Sequence, residues 1–156
     1  MAFWRATWRE AHPLILVRRA CADRRCHARG EPVPLYGSLD DRTPFAELQH
    51  QAAGADLMGM RLRLAKLTFV GMAYNGLTSA GQAEAQVSAE ELVADDDYGA
   101  GQRLMAHALA NGAQALLMPS AAVGSSISLV VAHAAVSDTV RLESQNLVTL
   151  GATYLP

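Results

Sequence analysis

The chain has 156 residues, 51% hydrophobic and 18% charged, which is enough for one packed domain and too apolar for a disordered tail. Its net charge of −2 excludes nucleic-acid binding through a global positive field. Two cysteines, Cys21 and Cys26, are too few for a disulfide framework, and read as reduced thiols in a polar, partly exposed stretch of a cytoplasmic protein.

The charge is unevenly spread. Residues 1–30 hold seven arginines against Glu10 and Asp23, while the remainder is net acidic. Such a start is either a solvated face or an anion site for phosphates or an acidic partner segment. The early apolar run, Leu14 to Val17, is too short for the core of a signal peptide. The uncharged stretch from Leu104 to Val136 is interrupted by Pro119, Ser120, Ser125, Ser126 and Ser128, and reads as buried core, not as a membrane span.

In chain order, Pro32 and Pro34 frame a short strand, Val33 to Gly37. A helix follows, with Thr43 as N-cap and Pro44 at its first position, running to about Ala53 and stopping at Gly54. Phe45, Leu48 and Ala52 share its core side, while Glu47, His50 and Gln51 share another. Alternation over Met60 to Val70 predicts a strand. Gly71 to Glu84 reads as a loop, and Ser88 with Glu91 as a capping box. Gly101 to Ala110 reads as a helix closed by Asn111-Gly112. Strands are expected at Ala115 to Met118, Ser128 to His133, Val140 to Glu143 and Leu147 to Leu150. Helices and strands mix without regular βαβ alternation, so the expected fold is α+β, with residues 1–156 forming one domain.

Three clusters carry chemical potential. Tyr36 ends a strand and Glu47 lies one short helix later, pairing an aromatic face with a carboxylate. Pro119-Ser120 closes an apolar strand, with Gly124, Ser125 and Ser126 close behind, a segment able to approach a ligand with backbone and hydroxyls. The N-terminal arginines form the third. Cation, aromatic ring and carboxylate together suit a dinucleotide. The bland alternatives are a core tyrosine, a solvated glutamate and a turn serine. Cys21, Cys26 and His27 lack a second ligand pair at zinc-like spacing, so no metal is expected. The chain carries no G-x-G-x-x-G, P-loop or G-x-S-x-G motif.

The order of these pieces resembles the RES-domain family. Trp4-Arg5-Ala6-Thr7 resembles its aromatic-Arg opening, and Arg25-Cys26-His27 occupies the place of its G-R-W-N. Leu35-Tyr36-Gly37-Ser38 resembles its L-Y-x-(S/A) strand, and Phe45-Ala46-Glu47 its A-x-x-E helix. Asn111 to Ala121 resembles its G-x-x-G-(L/I)-x-V-P-S-A, and Ser128 to Val131 its N-L-V-L strand. The second motif departs: Arg24, Cys26 and His27 stand where the family has Gly, Trp and Asn, and Ala6 stands where a tyrosine can follow the first Arg.

The resemblance implies a fold like that of ADP-ribosylating toxins, with small mixed sheets forming an NAD⁺ cleft and helices outside. It implies a toxin that cleaves NAD⁺ as its substrate and transfers ADP-ribose to a protein acceptor, restrained by a cognate antitoxin covering the active site; the charge and the interrupted apolar stretch leave no nucleic acid and no membrane among the expected partners. NAD⁺ hydrolysis or phosphorolysis is the alternative, and an inactive nucleotide-binding or interaction domain a further one. Carried over by position, Glu47 supports the oxocarbenium-like transition state. Ser120 holds the nicotinamide amide or ribose, and Tyr36 bounds the nicotinamide ring. Arg5, or else Arg25, clamps the pyrophosphate. His50 is an accessory able to orient the carboxylate.

Overall fold

The computed structural model describes residues 1–14, 24–52, 56–94 and 98–151. Cys21, Arg18, Arg19, the run from Ile15 to Val17 and the expected helix stop Gly54 lie outside them.

The α+β class is as expected, and the strands among the described residues join into one mixed sheet of seven. In chain order they are β1 (Ala2–Trp8), β2 (Leu35–Ser38), β3 (Arg61–Phe69), β4 (Ala73–Asn75), β5 (Ala115–Pro119), β6 (Ile127–Val131) and β7 (Val140–Thr149). Their spatial order is β4-β5-β6-β2-β1-β3-β7, and only β4 and β5 run parallel. The described helices are α1 (Thr43–Gln51), α2 (Ser79–Glu84), α3 (Ala89–Val93), α4 (Gly99–Ala110) and α5 (Val136–Thr139). None of them is long and apolar enough to cross a membrane.

Period-2 alternation sorts the sheet into two faces. Phe3, Leu35, Ala65, Leu67, Leu129 and Val131 pack on one face with Val136 and Val140. Ala6, Leu62 and Leu64 face the other way, beneath Phe45 and Leu48 of α1 and its C-cap Ala52. On that same helical face, Leu116, Met118 and Val130 pack against Leu92, Leu104 and Met105 of α3 and α4. Each large side chain buried this way stabilises the fold by about 1.5–3 kcal/mol.

Local chemistry explains most boundaries. Ser88 and Glu91 form the reciprocal capping box of α3. Asn111 caps α4, and Gly112 follows in the left-handed region at φ 78°. Three expectations are corrected. Residues 71–84 hold β4 and α2: β4 borrows its pairing from distant β5, and the Thr78 hydroxyl caps α2 by accepting from Gly81 N. The strand expected to reach His133 stops at Val131, because residues 133–135 turn into a 3-10 helix that leads to α5. The two short strands expected after Val140 are one strand, β7, with an irregularity opposite Lys66/Leu67 that absorbs the break in pattern.

Candidate active site

Helix α1 brings Glu47 to the mouth of the β5–β6 hairpin. Its start differs from expectation: Thr43 is the first helical residue and Pro44 the second, the N-cap position falls on Arg42 without a side-chain cap, and Asp40 Oδ1 instead accepts from Arg42 N at 3.0 Å and Thr43 N at 2.8 Å. Phe45, Leu48 and Ala52 turn into the core and leave Glu47 half-buried on the flank that meets the hairpin. Ser120 directly follows β5 and is wholly buried. Its hydroxyl accepts from Val123 N at 3.2 Å and donates to Glu47 Oε1 at 2.5 Å. Ser128 Oγ donates to the same oxygen at 3.3 Å. Glu47 Oε2 has no hydrogen-bond partner among the described residues. One carboxylate oxygen is therefore fixed by hydroxyls and the other is available to a ligand.

Arg25 is brought to the same place. Its Nη2 donates to Pro119 O at 3.1 Å, one residue before Ser120, and to Leu92 O near the end of α3. A guanidinium has five N–H donors, so Nε and Nη1 remain for an anion. The segment carrying Arg25 is a tight hairpin in which Arg24 N donates to His27 O at 2.9 Å and His27 N to Arg24 O at 3.3 Å. Gln102 of α4 pins it, with Nε2 donating to Arg24 O at 3.0 Å and His27 O at 3.2 Å. Gly101 makes this docking possible, since a Cβ there would lie 2.1 Å from Arg25 O. Gly101→Ala is accordingly expected to destabilise the protein, although alanine improves an open helix by about 1 kcal/mol. A lowered melting temperature checks this, and an unchanged or raised one contradicts it.

The same hairpin anchors Tyr36. Its hydroxyl accepts from Cys26 N at 3.2 Å and lies 2.9 Å from His27 Nδ1, to which it can donate its own proton. Burial, the largest cause, and the neighbouring Cys26 side chain drive the phenol well above its ordinary range, against the opposing pull of the Cys26 N–H and Arg25, so it stays protonated. The expectation of a partly exposed Cys26 is corrected: the hairpin turns it inward, 5% exposed, with Sγ 3.3 Å from Met118 Sδ. Burial pushes this thiol up to about 12, leaving it neutral and unreactive. The departures at Cys26 and His27 thus form the socket of Tyr36.

Arg5 lies elsewhere. It pairs with Ala65 and alternates with Phe3 and Thr7, which places it on the sheet face opposite α1 and Glu47. Its Nη1 is buried without a partner among the described residues, and burial pulls the group down to about 10. The guanidinium is still charged at neutral pH, so the desolvation cost is carried by the folded state. Arg5→Met is expected to leave stability unchanged or raise it by about 1–3 kcal/mol; a clear fall in melting temperature would contradict this. His50 is exposed on α1, and Glu47 takes its hydrogen bonds from Ser120 and Ser128.

The structure therefore unites Glu47, Ser120 and Arg25, with Tyr36 held beside Arg25, and separates Arg5 from them. Sequence reasoning missed Ser128, the Asp40 turn and Gln102. The D-x-x-T-P spacing of Asp40, Thr43 and Pro44 carried a readable signal for that turn, whereas Ser128 and Gln102 are defined by distant pairing. A groove of about 690 Å³ lined by Leu14, His133, Val136 and Arg141 and one of about 350 Å³ beside Cys26 and Gln102 include neither Glu47 nor Ser120. The site is assigned from its side-chain chemistry, not from a cavity.

A mixed seven-stranded sheet with a helix-borne carboxylate bound to a serine at a strand end defines an α+β domain with a carboxylate–hydroxyl site. The chain matches the RES domain over residues 2–150 and belongs to that family. It is similar in fold to a chain of the solved M. tuberculosis MbcT–MbcA toxin–antitoxin complex, with TM-score 0.75 and 18% identity, covering 95% of this chain and 84% of that one. A comparison with curated protein sequences gives no match.

Proposed function

We propose that this chain is the toxin of a bacterial toxin–antitoxin pair and cleaves the nicotinamide–ribose bond of NAD⁺. Membership of the RES-domain family and likeness in fold to a protein solved in a toxin–antitoxin complex support the reading. The observation that carries it is the Glu47 carboxylate, fixed at Oε1 by Ser120 and open at Oε2.

In this reading NAD⁺ is the substrate. Nicotinamide departs with the electron pair of the glycosidic bond, and the ribose carbon gains oxocarbenium character. Glu47 Oε2 grips a ribose hydroxyl or faces the developing positive charge, and Ser120 fixes its orientation. Arg25 takes the pyrophosphate with the guanidinium edge left free by Pro119 and Leu92, in preference to Arg5 on the far face. Tyr36, tethered through its hydroxyl, offers its ring to the nicotinamide. The acceptor that captures the ribose carbon is a protein side chain, with water or phosphate as the competing nucleophiles. No step calls for a metal, because the substrate brings its own leaving group.

The partner is an antitoxin that covers this site and competes with NAD⁺. Incubating the purified chain with NAD⁺ labelled in its adenylate half, together with cell lysate, tests the acceptor: label is expected on protein. Label found only in free ADP-ribose or its phosphate ester replaces transfer by hydrolysis or phosphorolysis. Expression of the chain alone is expected to stop bacterial growth, and normal growth with abundant folded protein would contradict the toxin role.

A further inference from the structure

We propose that Asp40, acting through Thr43 and Ser126, is the positioning residue of the Glu47–Ser120 pair, an inference that rests on Glu47 being the catalytic carboxylate. Asp40 Oδ2 accepts from Thr43 Oγ1 at 2.7 Å and from Ser126 Oγ at 2.8 Å, and the two hydroxyls are 2.6 Å apart. Its Oδ1 accepts from Arg42 N and Thr43 N at the start of α1. Thr43 is wholly buried and lies one turn before Glu47, on the same helix flank. Ser126 in turn accepts from Ser120 N through its carbonyl at 2.9 Å.

These bonds close a ring. Helix α1 and the loop between β5 and β6 are joined by two rungs, one through Asp40, Thr43 and Ser126, the other through Glu47 and Ser120. The first rung sets where α1 begins and how it is turned against the loop, so it fixes the second. Burial acts to raise the Asp40 carboxyl, but hydrogen bonds from Thr43, Ser126 and Arg42 outweigh it and hold the group below the usual carboxylate range. The carboxylate is thus ionised and the rung fully formed at neutral pH.

A carboxylate displaced by about 1 Å can lose on the order of 10²-fold in rate. Asp40→Ala and the milder Ser126→Ala are therefore expected to lower kcat for NAD⁺ cleavage about ten- to a hundredfold with KM within about twofold. Asp40→Asn should recover much of the loss, since its amide oxygen can still accept at the start of α1 and its NH₂ can donate to the two hydroxyls. In a Glu47→Gln background Asp40→Ala should add nothing further to the loss of rate, although any fall in melting temperature persists.

The second readout is the Glu47 carboxyl carbon resonance in protein labelled at glutamate, which is independent of turnover. It should move in Asp40→Ala and Ser126→Ala and stay in place in Arg141→Ala, a control on β7. Folded Asp40→Ala and Ser126→Ala proteins with an unmoved resonance and unchanged kcat overturn the proposal. Wild-type protein without NAD⁺ turnover would overturn the catalytic reading instead, and the resonance would still decide whether Asp40 positions Glu47.

Discussion

Glu47→Gln is expected to lower NAD⁺ turnover about 10²-fold or more while leaving the fold intact, the scale of losing one preorganised electrostatic group. Glutamine keeps the size of the side chain and an oxygen that can accept from Ser120 and Ser128, so the hydrogen bonds at the β5–β6 hairpin survive. The helix is held by Phe45, Leu48 and Ala52, none of which the change touches. What is lost is the negative charge facing the ribose. The melting temperature should accordingly stay within about 1–2 °C of wild type, as for a change worth up to about 0.5 kcal/mol. A folded Glu47→Gln protein with near-wild-type turnover would remove Glu47 from the mechanism.

The second large effect is expected at Arg25. Arg25→Lys keeps a positive charge and can still reach one carbonyl, but it removes the fork that would hold a pyrophosphate while Nη2 remains on Pro119 O and Leu92 O. Hydrogen bonds to a charged group contribute about 1.5–3 kcal/mol each, so KM for NAD⁺ should rise roughly ten- to a hundredfold, with a smaller change in kcat. Arg5→Met is the matched comparison: from the far side of the sheet it should leave KM unaltered. Equal effects at the two positions, or an unchanged KM in Arg25→Lys, would contradict the assignment of the clamp to Arg25.

The contrast between these arginines shows where the sequence was legible. Pro44, the Ser88–Glu91 box, Asn111-Gly112 and the alternation of β3 act over a few residues, and each marks its element within a residue or two. Glu47 and Ser120 stood out because a carboxylate on a helix flank and a serine after an apolar strand are chemically conspicuous. Their contact bridges 73 positions, and the Asp40–Ser126 bond bridges 86, so neither could be read from spacing. The side of the sheet on which Arg5 lies depends on the packing of α1 over β1, a tertiary fact. Cys26 looked polar from its charged neighbours, but the backbone hairpin turns Cys26 against Met118 and leaves Arg24 exposed. Strand β4 has three residues and pairs with β5, and its local sequence reads equally well as loop.

The most direct measurement is the product spectrum of NAD⁺ incubated with the purified wild-type chain, beside Glu47→Gln protein of equal melting temperature. Nicotinamide should accumulate as NAD⁺ disappears, matched by ADP-ribose in free or protein-bound form, and the variant should release it about 10²-fold more slowly. Intact NAD⁺ after prolonged incubation with the folded wild-type chain, or release at equal rates from both proteins, would contradict an NAD⁺-cleaving site built on Glu47.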